Sequence, residues 1–429
     1  MNKSTTRESW LGRSFEVTIE KVAHGGIFVA RHEGRVVFVN HVLPGERAKV
    51  RVFEDRGGSF CRAEPVQILE ASADRVAHVW PEAEFDPQSR TGNAGGAEFG
   101  HIKLSRQRDL KADVIEEALS RMAGVELRPV VEPAPGDDEA NGLGYRTRIQ
   151  LQVNDFGDVG PFRERTHDVV RVKSLPLAVE DIQELEMQNR NYQGVKKIEV
   201  AASSTGQVVI KVDSKLSSTD RMVERAGGRT FRISPGGFWQ VHKKAPAILT
   251  DAVNGMIAEV GFDKDADNLD LYGGVGLFAG AIAARFGNDS RVTTVESFKQ
   301  ATEDASLNLS DLPRVRAVCQ PTERFMNEKA AEAKAERKKA KAAGAADTPS
   351  RATVVLDPPR SGAGAKVIER LIEFAPKHIV YVACDPIALA RDLKSLLAGG
   401  YELQKLRAFD LFPHTHHVEC VASLVRKDS

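Results

Sequence analysis

The sequence predicts an α/β protein in three parts: a small N-terminal β-barrel, a β-rich middle and a C-terminal doubly wound parallel sheet. Three observations predict it. Short alternating strands separated by glycine turns fill residues 12–69. Polar–apolar alternation returns between Tyr145 and Arg232. From Ala245 onward, apolar strands alternate with helical segments, the pattern of a parallel sheet with crossover helices.

In the first part, Ser14 to Ile19, Ile27 to Ala30, Val36 to Val39 and Ala48 to Phe53 read as strands. Gly25-Gly26 and Pro44-Gly45 read as turns. Short strands with such turns suit a small barrel of the OB type. Residues Val76 to Gly100 lack periodicity and read as loop. Lys103 to Met122 reads as a helix with Leu110, Val114, Ala118 and Met122 on one face.

In the middle part, Arg148 to Val153 and Val208 to Val212 alternate as strands. A locally basic stretch holds Arg146, Arg148, Arg163, Arg165, His167, Arg171 and Lys173. It is either a solvated sheet face or a patch that positions phosphates.

In the last part, Ala245 to Val260 has helical periodicity. Strands follow at Asn268 to Leu271, Val292 to Val295, Thr353 to Leu356 and Ile379 to Val382. Two closing strands are expected near Leu403 to Ala408 and Val418 to Val425. Asn327 to Ser350 is almost all Ala, Lys, Glu and Arg, and reads as a charged insertion without a core face. The expected domains are 1–70, 71–235 and 236–429, with 327–350 inserted into the third.

Composition narrows the class. With 429 residues the chain is long enough for two or three domains of about 100–200 residues each. No apolar run approaches the roughly 18–20 residues that span a bilayer, and Met1 to Arg13 lacks an apolar signal segment, so a cytoplasmic protein is expected. Lys+Arg and Asp+Glu both number 60, so any nucleic-acid contact has to come from local patches. The four cysteines, Cys61, Cys319, Cys384 and Cys420, show no C-x-x-C spacing. His414, His416 and His417 have no second ligand cluster, and no metal is expected.

Four segments carry chemistry. Leu269 to Ala279 (LDLYGGVGLFA) is a strand running into a glycine turn and a helix, and Glu296 ends the next strand. That is the layout of an adenosine-cofactor site, with an acid placed for ribose hydroxyls. The same turn fits G-x-G-x-x-A from Gly274, which leaves a nicotinamide-dependent dehydrogenase open. Asp357-Pro358-Pro359-Arg360 follows one strand and Cys384-Asp385-Pro386 follows the next, so Asp357 and Cys384 belong at the carboxyl edge where open sheets bind ligands. Glu419 begins an apolar strand, an odd place for a charge unless it faces a site.

These segments, in this order, resemble the RNA uridine-C5 methyltransferases, the family of the tRNA and 23S rRNA 5-methyluridine enzymes. Gly236-Gly237-Phe238-Trp239-Gln240-Val241, Leu389-Ala390-Arg391-Asp392 and Phe412 to Glu419 carry the resemblance as well, and the barrel is similar to a TRAM domain. The resemblance implies a Rossmann-like methyltransferase domain that uses S-adenosylmethionine. Cys384 would be the nucleophile, Glu419 the base, and Asp357 would hold the uracil edge or polarise the adduct. Gln240, Tyr272, Gly274, Gly276, Glu296, Asp357 and the backbone of Leu277 would lie around the methyl donor. Arg146, Arg148 and Arg163 would contact RNA, with ribosomal RNA expected ahead of tRNA, and the protein would act as a monomer.

This chain departs from the pattern in three places. Leu277 stands where relatives often have Asn, and Asp385 where many have Asn. Some members hold an iron–sulfur cluster through a Cys-Gly-Gly-Cys segment; here the run reads Ala94-Gly95-Gly96-Ala97, and no cluster is expected. A non-catalytic RNA-binding protein is the remaining alternative, against which the retained Cys384, Glu419 and Asp357 stand.

Overall fold

The structure is a computed structural model and describes residues 8–88, 93–343 and 350–427. Among the described residues, strands Ser14–Ala23, Ile27–His32, Arg35–Val39, Arg47–Glu54 and Phe60–Glu70 close into a barrel. Their alternation drives closure: Val17, Ile19, Ala48, Val50 and Val52 point inward and are buried together. The fifth strand was missing from the sequence expectation because Pro65 interrupts it. Pro65 sits where the register with Arg47–Glu54 shifts, a bulge that needs no donor from the proline.

The barrel rests on helix Leu104–Ala118, whose Leu110 joins Phe99 and Ile102 in the barrel core. The middle sheet contains Lys215–Leu216, Val208–Val212, Lys197–Ala202, Arg148–Val153 and Val159–Gly160, in that spatial order. Hairpin Met222–Ala226/Arg229–Ile233 is separate from that sheet. Its Phe231 and Ile233 pack with Trp239, Val275 and Leu277 of the last domain.

The last sheet orders its strands Val315–Cys319, Val292–Glu296, Asn268–Leu271, Thr353–Leu356, His378–Ala383, Glu419–Arg426, Tyr401–Asp410 and Val131–Pro133. The first five run parallel, and Glu419–Arg426 is antiparallel to His378–Ala383. The chain order reverses between Asn268–Leu271 and Thr353–Leu356, the switch point where such sheets open a ligand crevice.

Two expectations change. Val131–Pro133 lies within 71–235 but pairs in parallel with Tyr401–Asp410, so the last sheet borrows its edge strand from upstream. The charged insertion continues helix Thr322–Ala342, which starts upstream of it with buried Phe325 and Met326; within the insertion Ala330 is buried too and Lys329 pairs with Asp267 at 2.8 Å, so its first turn does have a core face. Residues 344–349 of the insertion lie outside the described residues.

Candidate active site

Strand His378–Ala383 is buried at every position and ends at Cys384. Asp385 then caps helix Pro386–Ala398, its Oδ1 accepting from the Ala388 N–H at 2.8 Å, with proline at the first helical position. This turn presents Cys384 at the carboxyl end of the sheet. Ala383 pairs with Cys420 across the antiparallel ladder, which sets Glu419 beside Cys384. Leu356 pairs with Tyr381, so Asp357 leaves its own strand at the same edge. Three residues far apart in sequence thus meet through strand register.

Their charges interact. Burial first, then Glu419 and Asp357, push the Cys384 thiol up to about 12, with Arg360 opposing them. Burial, then Asp357, raises Glu419 well above the usual carboxylate range, again against Arg360. Glu419 is only 5% exposed. Asp357 is lifted to about 7 by burial and by Asp270. Carboxyls in such surroundings hold protons tightly, which suits acid–base work near neutral pH.

On the other side of the switch point lies the glycine turn. Tyr272 has φ 61°, Gly274 φ 55° and Gly276 φ 89°. A Cβ on Gly273 would sit 1.9 Å from Thr294 Oγ1, so the strand–helix turn closes only with glycine there. Beside Gly274 no heavy atom lies within 4 Å of where a Cβ would be, leaving that backbone open to a ligand. The Gly274 N–H donates to Glu296 Oε2 at 3.2 Å, and the Phe298 N–H to Glu296 Oε1 at 2.8 Å. Gly276 caps helix Leu277–Phe286; the Leu277 side chain is buried with Trp239 and Val275, so only its backbone is available to a ligand. Gln240 lies half-buried in the loop after Trp239.

The structure does not present the three predicted RNA arginines as one patch. Arg148 turns inward: burial lowers its proton affinity, and its guanidinium donates to the Gly237 carbonyl, bracing the loop that carries Gln240. Arg146 folds over the Tyr145 ring with its Nε donating to the Tyr145 hydroxyl at 3.1 Å. Arg163 lies elsewhere, bridging Ala94 through its backbone. Alternation placed these residues on a strand but carried no information on what covers the face.

The histidines of the 412–418 segment serve three different contacts. His414 has φ 65° and is clamped by Gln107 and by the Asn141 carbonyl. His416 faces Glu98, and His417 lies 3.3 Å from Arg360. Ala94 and Ala97 are buried in an apolar cluster with Trp80, Leu151 and Val170.

Two residues at the site had no role in the sequence reading. Asp270, fully buried in its strand, accepts from the Ala279 N–H and the Thr294 hydroxyl, both at 3.1 Å, and burial lifts it to about 7. A carboxyl inside an apolar strand was the available signal. His24, from the barrel, lines the Cys384 cleft, and no local pattern marks it.

An open α/β sheet with a glycine turn on one side of its switch point and an acid on the other defines the class: an adenosine-cofactor fold. The comparisons specify it. Residues 179–427 match the family model for tRNA (uracil-5-)-methyltransferase, and residues 8–66 match the TRAM domain. A protein of Streptomyces avermitilis described as an RNA methyltransferase is 40% identical, over 96% of this chain and 98% of its own length. One from Bifidobacterium longum with the same description is 35% identical over 96% of each chain. The chain belongs to the tRNA (uracil-5-)-methyltransferase family. The tRNA (uracil-54, C5)-methyltransferase of Pyrococcus abyssi, solved with S-adenosyl-L-homocysteine, shares the fold. Its TM-score is 0.67 at 20% identity, over 96% of this chain and 100% of that one.

Proposed function

We propose that the protein transfers a methyl group to C5 of a uridine in ribosomal RNA through a covalent Cys384 adduct. The observation that carries this reading is the meeting of Cys384, Glu419 and Asp357 at one sheet edge beside the switch point. The crevice fits S-adenosylmethionine: Gly274 leaves backbone open to it, Glu296 at the end of the neighbouring strand would hold the ribose hydroxyls, and Asp357 at the same edge would lie beside it. When bound, S-adenosylmethionine would supply an electrophilic methyl group, its S–CH3 bond breaking to leave the neutral thioether S-adenosylhomocysteine.

Uracil C5 is too weak a nucleophile to react unaided. Cys384 first gives up its thiol proton to solvent; the thiolate then adds to C6, forming an S–C6 bond and an enolate that is nucleophilic at C5. C5 takes the methyl group, and then carries both it and a proton. Glu419 removes that proton; the electron pair returns to the ring, the S–C6 bond breaks and the thiolate leaves. Once ionised, Glu419 has a high proton affinity, which suits it to take this proton. The base has to leave its stack, or lie in an open loop, to reach Cys384.

Ribosomal RNA is the substrate expected from the sequence resemblance; tRNA is the competing substrate, named in the family's description. RNA containing 5-fluorouridine, with S-adenosylmethionine, is expected to give a covalent complex with the native protein and none with Cys384→Ala. No complex with the native protein would overturn the mechanism. Mass-spectrometric mapping in a deletion strain should show 5-methyluridine lost from ribosomal RNA; loss from tRNA alone would reassign the substrate.

A further inference from the structure

The barrel closes one side of the cleft above Cys384. The turn between its first two strands, residues 22–26, lines that cleft opposite Arg360, Cys384 and His417. Two contacts fix the turn there. His24 Nε2 lies 2.7 Å from Asp385 Oδ2. Gly26 lies so close to the catalytic domain that a Cβ on it would sit 2.8 Å from the His416 Cβ.

Asp385 follows the nucleophile directly, and its two oxygens have separate partners: Oδ1 caps the helix through Ala388, and Oδ2 meets His24. We propose, resting on the C5-transfer reading, that His24 is a positioning residue. Its bond to Asp385 holds the strand-to-helix turn that carries Cys384 and seats the barrel turn as the wall against which the target uridine is held. The pair is mutually supporting. The bond to Asp385 raises the proton affinity of His24. Burial pushes Asp385 up, but the bond from His24 together with the Ala388 and Ile387 backbone N–H groups keeps it below its ordinary value. Aspartate at 385 is the choice that makes the link ionic; asparagine would keep the helix cap and lose the charge.

The test is the single-turnover rate of adduct formation by the full chain on saturating 5-fluorouridine RNA. His24→Ala is expected to slow it about tenfold, the scale of one partly exposed charge-assisted hydrogen bond. His24→Gln, which can still donate to Asp385, is expected to recover most of the rate. Asp385→Asn should also be slow, and the double variant His24→Ala/Asp385→Asn no slower than the slower single one, as for any coupled pair. A purely structural role would lower the melting temperature without separating Gln from Ala in rate. A His24→Ala rate within about twofold of native, or additive losses in the double variant, overturns the proposal. A native protein that forms no adduct overturns the C5-transfer reading, while native and His24→Ala adducts forming equally fast overturn only the role of His24.

Discussion

In the free protein Cys384 should be a slow thiol, and the structure says how slow. The thiol moves from an ordinary 9.0 to about 12, which leaves about a thousandth of the thiolate that an unperturbed cysteine holds at neutral pH. Intrinsic nucleophilicity rises with basicity at a slope of about 0.4–0.5, which returns about 20-fold. The net expectation is alkylation about 50-fold slower than for an ordinary thiol. Iodoacetamide labelling followed by peptide mass spectrometry measures it, with exposed Cys319 as the internal comparison and buried Cys61 and Cys420 as unreactive references. The Cys384 rate should keep climbing with pH beyond the ordinary thiol value of 9.0. Arg360→Met should lower the rate, because the guanidinium favours the thiolate. Labelling of Cys384 as fast as Cys319, with a plateau below 9.0, would refute the electrostatic account.

Three other outcomes follow from the same geometry. Glu419→Gln should accumulate the covalent adduct on ordinary uridine RNA, visible as a slow-migrating band; rapid turnover would remove Glu419 as the base. Gly273→Ala would put a methyl group 1.9 Å from Thr294 Oγ1 and should weaken binding of S-adenosylmethionine by at least about tenfold in calorimetry; unchanged affinity would refute the turn's role. In the barrel, Arg35 lies 2.6 Å from Asp55 and holds that carboxyl down at about 2. A depressed carboxyl stabilises the fold fully above its unfolded value of 3.8 and loses that contribution as pH falls towards about 2. Asp55→Asn should therefore flatten the acid side of the melting-temperature profile; an unchanged slope would refute it.

The candidate site's sheet edge was legible in the sequence because its residues break local rules. Cys384 ends an apolar strand instead of lying inside it, and Glu419 puts a charge at the start of one. The fold class was legible for a similar reason: strand and helix periods repeat along most of the chain. What stayed hidden depends on partners distant in sequence. Val131–Pro133 is three residues long and ends in proline, so it carries no strand pattern of its own, yet the edge of a sheet pairs with it. The core face of helix Thr322–Ala342 rests on Phe325, Met326 and Ala330, at the margin of a charged run that hides it. Arg148 looked like a surface cation because alternation does not reveal the loop that covers it. His24 and Asp385 are 361 positions apart, and only the docked barrel brings them together.

The borrowed strand has a consequence for how the chain is made. Helix Leu104–Ala118 and strand Val131–Pro133 leave the ribosome well before the sheet edge they complete. Lys111 in that helix is 299 positions ahead of Asp410, its buried partner at 2.5 Å. At roughly 5–20 residues per second, that interval is about 15–60 s of translation. For that time a lysine destined for the interior has no counter-charge, and the loop that clamps His414 has nothing to hold. A barrel can mature early on its own, but the catalytic sheet stays incomplete until its last hairpin arrives. Nascent chains stalled short of Asp410 would then be the aggregation-prone species and natural clients of chaperones.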